Sequence, residues 1–171
     1  MPILIRPERP EDHDAVRRIT AAAFGREIEA RLVDLIRASE NYVPELSLVA
    51  EEDGAVVGHT MLSYVGLEGE ETFRVLALAP VSVAPERQND GIGGALVRRA
   101  VELADARGEP LVQLLGHPDY YPRFGFEQGR PLGIEPPGPA VPDAAFMVRK
   151  LSAYDERYRG RIVYPPAFNE T

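Results

Sequence analysis

The chain of 171 residues contains no cysteine. Disulfides, thiolate metal sites and cysteine nucleophiles are thereby excluded, and a cytoplasmic setting is the compatible expectation. It has no run of about 18 apolar residues, so no segment reads as a membrane-spanning helix. The opening Met1-Pro2-Ile3-Leu4-Ile5-Arg6-Pro7 is too short and too soon charged to read as a signal peptide. Basic residues are in deficit: 19 Lys and Arg against 27 Asp and Glu give a net charge of −8, and Lys150 is the only lysine. Nucleic acid binding needs a clustered basic face, so no nucleic acid partner is expected. A cationic amine is tolerated, as a weak preference. His117, with Pro118 and Asp119, has no second histidine at metal-ligand spacing, and no metal is expected. Internal repeats and low-complexity tracts are absent as well.

What is present describes a globular domain. Apolar residues make up 44% of the chain and charged ones 27%, ordinary values for a chain long enough to bury a proper core. Strand and helix patterns alternate. Ile3 to Arg6 reads as a short strand closed by Pro7, and Pro10 to Asp14 as a helix start with an early proline and acids in the first turn. Val16, Ile19, Ala23 and Phe24 form its apolar stripe, and Gly25 breaks it. Ile28, Leu32, Leu35 and Ile36 mark a second helix. Leu46–Glu52 and Ala55–Leu62 read as strands joined at the hairpin signal Asp53-Gly54. A long strand, Phe73–Val83, carries Pro80 within it. Leu111–Gly116 is a buried strand, and His117 to Phe124 one helical turn. Gly125 to Glu127 opens another strand, and Ala144–Leu151 is the last. Arg130 to Asp143 carries five prolines and reads as a loop. The expectation is one α/β (α+β) domain over residues 1–151, with residues 152–171 as a tail packed on it.

One stretch organises this order. Val81-Ser82-Val83 ends a strand, a polar loop follows through Gln88, Asn89 and Asp90, and Gly91, Ile92, Gly93 and Gly94 open an apolar helix pattern. Glycines without Cβ let a backbone bend tightly and approach a ligand, and a helix start presents free N–H groups and a positive dipole end. The combination suits a pyrophosphate. A P-loop would require Lys then Ser/Thr after the last glycine, and the lone lysine is far away. A Rossmann fingerprint would require a third glycine where Leu96 stands. The spacing that fits is Q-x-x-G-x-G. Just upstream, Pro80 has no N–H for a sheet ladder, so pairing should fail or bulge there and leave backbone groups of Val81 and Val83 without a full set of strand partners.

The Gln88, Gly91 and Gly93 spacing resembles the acetyl-CoA pyrophosphate loop of the GNAT superfamily of N-acyltransferases, Arg/Gln-x-x-Gly-x-Gly/Ala. A second motif, Tyr121-Pro122-Arg123-Phe124-Gly125-Phe126, is similar to the family's Tyr-x-x-Leu/Phe-Gly-Phe segment. With Pro44 to Ala50, Gly58-His59 and the Tyr-Tyr-x-Arg-Phe-Gly-Phe run, the chain is similar to a poorly characterised bacterial branch of predicted N-acetyltransferases. The resemblance covers roughly residues 3 to 151. It implies the GNAT fold, a mixed central sheet splayed near its fourth and fifth strands and flanked by helices. It implies acetyl-CoA as co-substrate, its pantetheine arm pairing with Val81, Ser82 and Val83 as a false strand would. The pyrophosphate falls to Gln88, Asn89, Asp90, Gly91, Ile92, Gly93 and Gly94, with Tyr121 and Phe124 completing the cofactor site.

The implied activity is transfer of an acetyl group to a primary amine of a small molecule or peptide by direct attack. A backbone N–H near Val81 would polarise the thioester carbonyl. A tyrosine hydroxyl would protonate the departing thiolate; Tyr121 matches the family position and is favoured over its neighbour Tyr120. A general base is not evident on the long strand, where only Arg74 carries charge, and Glu29, Glu45, His59 and His117 are the candidates elsewhere. Two positions depart from the pattern: Asp90 stands where a basic or small residue is commoner, and no asparagine follows the fifth strand in Leu115 to Asp119. The rival class is a degenerate acyl-CoA-binding module, regulatory or structural. The loop Pro131 to Pro142 and the tail Tyr154 to Phe168 suit either an acceptor pocket or a homodimer face.

Overall fold

A computed structural model describes residues 2–169. In chain order its elements are β1 (Leu4–Pro7), α1 (His13–Phe24), α2 (Ile28–Arg37), β2 (Ser47–Glu52), β3 (Ala55–Glu68), β4 (Thr72–Val83), α3 (Ile92–Ala106), β5 (Leu111–Leu115), β6 (Glu127–Gln128), β7 (Ile134–Glu135), β8 (Phe146–Lys150), β9 (Gly160–Val163) and α4 (Pro166–Asn169). Helix α1 stops where expected, at Gly25 in the left-handed region with φ 69°, a conformation glycine adopts without a Cβ penalty. The Asp53-Gly54 turn joins β2 to β3 in an antiparallel hairpin.

The strands form one sheet in the order β1-β2-β3-β4-β5-β8-β6, with β9 paired to β3 and β7. Most pairs are antiparallel; β4–β5 and the short β7–β9 pair are parallel. Helix α3 covers one face with Ile92, Leu96, Val97, Ala100 and Ala104, packed on Leu62, Leu76, Leu78, Val112 and Leu114. Helices α1 and α2 cover the other through Val16, Leu32, Val33 and Ile36 against Val49 and Met61.

Pro80 does what its missing N–H requires. The β3–β4 register slips between Thr60↔Val81 and Leu62↔Leu78, so β4 holds one extra residue there, and a bulge of this kind bends a strand. Thr60 Oγ1 donates to the carbonyl oxygen of Pro80 at 3.0 Å. The insertion also lets Leu78 and Val81, three residues apart, share the α3 face. Strands β4 and β5 pair only at Leu76↔Val112 and Ala77↔Gln113. Past that point β4 stays with β3 up to Val83 while β5 follows β8 to Leu115↔Phe146. The sheet is therefore forked between its fourth and fifth strands, as the resemblance implies.

Strand β3 runs past the Leu62 end expected for it, to Glu68, and two further strands were not expected at all. The proline-rich loop contains the two-residue strand β7, and the tail contains β9, whose Ile162 is fully buried and sits opposite Leu67 of β3. Neither shows a clean alternating pattern, because each is held by partners distant in the chain rather than by its own periodicity.

A buried ionic network ties the N-terminal elements to the sheet. Arg37 of α2 donates twice to Glu8, from Nη2 to Oε1 at 2.6 Å and from Nε to Oε2 at 2.9 Å, and Tyr42 Oη donates to Oε2 at 2.7 Å. His59 on β3 places Nε2 3.0 Å from Ser47 Oγ and 3.7 Å from Glu8 Oε1. Burial pushes the Glu8 carboxyl up, but its bonds from Arg37 and the proximity of His59 and Tyr42 outweigh this and hold it at about 2. Burial lowers His59 to about 4, so it is neutral in the fold near pH 7. Both groups bind protons more readily when unfolded. Stability therefore falls as pH drops from about 6.5, first with His59 and then, below about 4.5, with Glu8 until its folded pKa is passed. Glu8→Gln leaves the buried Arg37 with Asp34 as its one carboxylate partner, at 3.1 Å, and is expected to cost on the order of 2 kcal/mol near neutral pH. It should also flatten the pH dependence below about 4.5. Urea midpoints at neutral and acidic pH check both.

Candidate active site

The loop between β4 and α3 begins with a single 3-10 turn, Pro85–Arg87. It is pulled back onto the strand end by Gln88, whose Nε2 donates to the carbonyl oxygen of Val83 at 3.2 Å. Asn89 and Gly91 both have positive φ, 70° and 83°. Gly91 caps α3 from the left-handed region, and its carbonyl accepts the N–H of Ala95 at 3.1 Å. The first amides of α3 are thus aimed outward, into a cleft of about 410 Å³.

The cleft is lined by Val83, Gln88, Asn89, Gly91, Ile92, Gly93, Gly94 and Phe124, all expected from the sequence. Arg87, Arg98, Tyr120 and Arg123 line it too, and no cleft role for the three arginines was anticipated. A signal for Arg98 existed: it lies one helical turn past Gly94, on the same face. Its guanidinium stands 5.0 Å from the Phe124 ring centroid. Arg123 stacks 4.6 Å from the Tyr120 centroid and donates from Nε to the Tyr120 carbonyl at 2.9 Å. A cleft with helix N–H groups and these cations suits a phosphorylated ligand. A Cβ on Gly93 would lie 3.5 Å from Tyr120 Oη, so any long side chain there occupies the cleft.

Asp90 is turned away from this lining. Its carboxylate is held at 3.0 Å by Arg87, a cation it shares with Glu52. Ser82 likewise keeps its side chain on the opposite face: its hydroxyl is buried and donates to Thr20 Oγ1 of α1 at 3.3 Å, leaving only backbone to offer a ligand.

A second cavity, of about 460 Å³, opens on the α1/α2 side of the fork. Val81, Pro80 and Tyr121 line it; Val81 and Val83 keep their side chains together on the α3 face, both within 4 Å of where a Cβ on Gly93 would lie. The two tyrosines separate between the openings. Their rings meet edge to face at 84° with centroids 5.0 Å apart; Tyr120 belongs to the first cleft and Tyr121 to the second cavity. Gly116 makes this possible, since a Cβ there would fall 2.5 Å from Tyr121 Cε2. Burial, and then the neighbouring Tyr120, push the Tyr121 hydroxyl up to about 12. It stays protonated at physiological pH and is a donor, not a base.

The four candidate bases are sorted by position. Glu29 and His117 line the second cavity. Glu45 is on the surface, 3.4 Å from Arg107, and His59 is locked in the buried network with Glu8. Arg74 stacks on Tyr64 at 4.1 Å, outside both openings. From the tail, Tyr164 and Phe168 enter the cavity wall, whereas residues 131–142 line neither opening. No cluster of three or more potential metal-ligating His, Cys, Asp or Glu side chains occurs among the described residues, and no helix among them is long and apolar enough to cross a membrane.

A family model described as "Acetyltransferase (GNAT) domain" matches residues 4–129. The Escherichia coli (strain K12) protein YjhQ, named an uncharacterised N-acetyltransferase, is 36% identical over 157 residues, covering 88% of this chain and 86% of its own. YhbS from the same bacterium is 31% identical over 151 residues, with 88% of each chain covered. The crystal structure of YhbS in complex with CoA superposes with a TM-score of 0.88 at 30% identity over 98% of this chain and 92% of that one. A GNAT family acetyltransferase from Brucella melitensis in complex with acetyl-CoA gives 0.80 at 35% identity over 98% of both.

The conformation of Gly91 is open to direct test. A Cβ there would meet nothing within 4 Å, so a substitution carries backbone strain alone. Gly91→Ala is expected to lower stability by about 1 kcal/mol, and Gly91→Asn by less because asparagine tolerates the left-handed region. Denaturant midpoints of the two variants measure the difference.

Proposed function

The chain belongs to the GNAT acetyltransferase family, and from that premise we propose that it moves an acetyl group from acetyl-CoA to the primary amine of a small molecule or peptide by direct attack, with Tyr121 as proton donor. One observation carries this reading: the fork between β4 and β5 has an anion-suited cleft on one side and a tyrosine-bearing cavity on the other. Gln88 through Gly94, excepting the side chain of Asp90, receive the pyrophosphate on the first amides of α3, and Arg98 and Arg123 add positive charge beside it. Two relatives of known structure hold CoA or acetyl-CoA, which supports this class of ligand. The bound thioester supplies the activated acyl carbon.

The remaining chemistry falls to the chain. Free backbone groups of Val81 and Val83, on the edge that β5 leaves, hold the pantetheine arm as a strand would be held. A backbone N–H near Val81 polarises the carbonyl. Tyr121 stands in the second cavity, buried, and releases its proton to the sulfur as the carbon–sulfur bond breaks. Glu29 and His117 are the groups positioned to take the proton that the amine loses. The alternative is a module that binds acyl-CoA without turnover; against it stands the buried Tyr121 in the second cavity, a proton donor that binding alone does not require.

Free-thiol release from acetyl-CoA against a panel of amines is the deciding assay. No release, with CoA still raising the melting temperature, would favour the binding module. Tyr121→Phe is expected to reduce turnover by roughly ten- to ten-thousandfold while leaving the CoA-induced melting shift intact. Unchanged turnover would remove Tyr121 from the mechanism. Gly93→Glu puts a carboxylate in the cleft and should abolish that melting shift; a retained shift would move the pyrophosphate elsewhere.

A further inference from the structure

On the sheet face opposite α3, the register lines up Ser63, Ala77 and Gln113 across β3, β4 and β5. Ser63 and Gln113 are both fully buried. Ser63 Oγ and both amide atoms of Gln113 find no hydrogen-bond partner among the described residues. Unmet polar atoms in a core cost stability, and an apolar side chain at either site would remove the cost. Ala77, between them, adds only a methyl group. Gln113 and Ala77 line the cavity that also holds Tyr121 and Glu29.

The tail closes this corner. Tyr164 stacks on Phe168 with centroids 4.6 Å apart and planes 15° from parallel, and both line the cavity. Tyr164 and Gln113 line the same cavity, and Gln113 completes no hydrogen bond there; burial raises the Tyr164 pKa while the Gln113 amide draws it the other way. Most of the remaining wall is apolar, with Phe24 and Leu115 at 41% and 42% exposure on its rim. Among the lining residues Glu29 is the only carboxylate, and Arg26 already holds it at 2.6 Å.

Rows along the strand set a length. Gln113 is level with Ala77, four residues before Val81 on a bulged strand. At about 3.3 Å per residue, less the bulge, the two levels are on the order of 10 Å apart. A ligand on the order of 10 Å long with its amine at the Val81 level brings its far end to the level of Gln113, whose buried amide must turn into the cavity to meet it.

We propose that Gln113, with Tyr164 beside it, reads a hydrogen-bonding group at the end of the acceptor remote from its amine. The cavity then selects small primary amines with an apolar body and a distal hydroxyl, carbonyl or amide. This rests on the reading of the cavity as the acceptor side of an acetyltransferase. Gln113 is a specificity-determining residue under the proposal, and it takes no part in proton transfer.

The test uses matched amines that differ by one distal polar group: phenethylamine against tyramine, and hexylamine against aminohexanol. Their binding to the CoA-saturated protein is measured by calorimetry, and thiol release from acetyl-CoA is followed in parallel. In at least one pair the polar member is expected to bind roughly five- to hundredfold more tightly. Gln113→Leu discards two unmet polar atoms, so its melting temperature should be unchanged or higher, and its preference within the pair should vanish. Tyr164→Phe keeps the ring and should weaken the same preference, which gives a second reading independent of how the first variant folds. Absence of any preference in the unaltered protein, or a preference that survives both substitutions, overturns the proposal and leaves these atoms to structural water. Absence of thiol release with the binding preference intact supports the proposal and refutes only the acetyl-transfer reading.

Discussion

A sheet ladder runs on only while each strand supplies its N–H groups, and Pro80 supplies none. The structure absorbs that gap with one extra residue in β4. On its far side β4 keeps its bond to β3 alone, because β5 has turned away with β8. Everything of functional interest is arranged about the resulting fork. Helix α3 begins beside one opening, Tyr121 stands in the other, and the end of β4 runs between them.

The charge pattern shows how little a global balance says about a local field. A net charge of −8 argues against extended polyanion partners, yet the cleft at the start of α3 holds Arg87, Arg98 and Arg123. Arg87 is occupied by Glu52 and Asp90, which leaves Arg98 and Arg123, each stacked on an aromatic ring. Stacking orients a guanidinium plane and leaves its edge free to donate. Together with helix amides, that is enough to recognise a compact phosphorylated ligand in an acidic protein.

Local physics was legible from the residues. The hairpin at Asp53-Gly54, the stop of α1 at Gly25, the glycine start of α3 and the break at Pro80 all depend on backbone preferences within a few residues, and all appear where expected. Strand β9 and the β7 pair escaped notice because distant partners hold them. The sorting of the candidate bases escaped for the same reason. Nothing near His59 in the chain shows that Glu8 and Arg37 will close around it, and nothing near Glu29 shows that it will share a cavity with Tyr121. Gln113 reads as one polar residue in an apolar strand; only the register beside Ala77 makes its unmet amide visible.

The sequence by itself determined the order of the elements other than β7, β9 and α4, the glycine-rich helix start and the point where the sheet must fail. These follow from covalent facts: no Cβ at Gly91 and Gly93, no N–H at Pro80. Only the tertiary structure decided which tyrosine faces which opening, which acidic and histidine side chains meet there, and that the tail supplies Tyr164 and Phe168 to the wall. Those outcomes depend on strand register and on packing between segments far apart in the chain, and short-range preference carries no information about either.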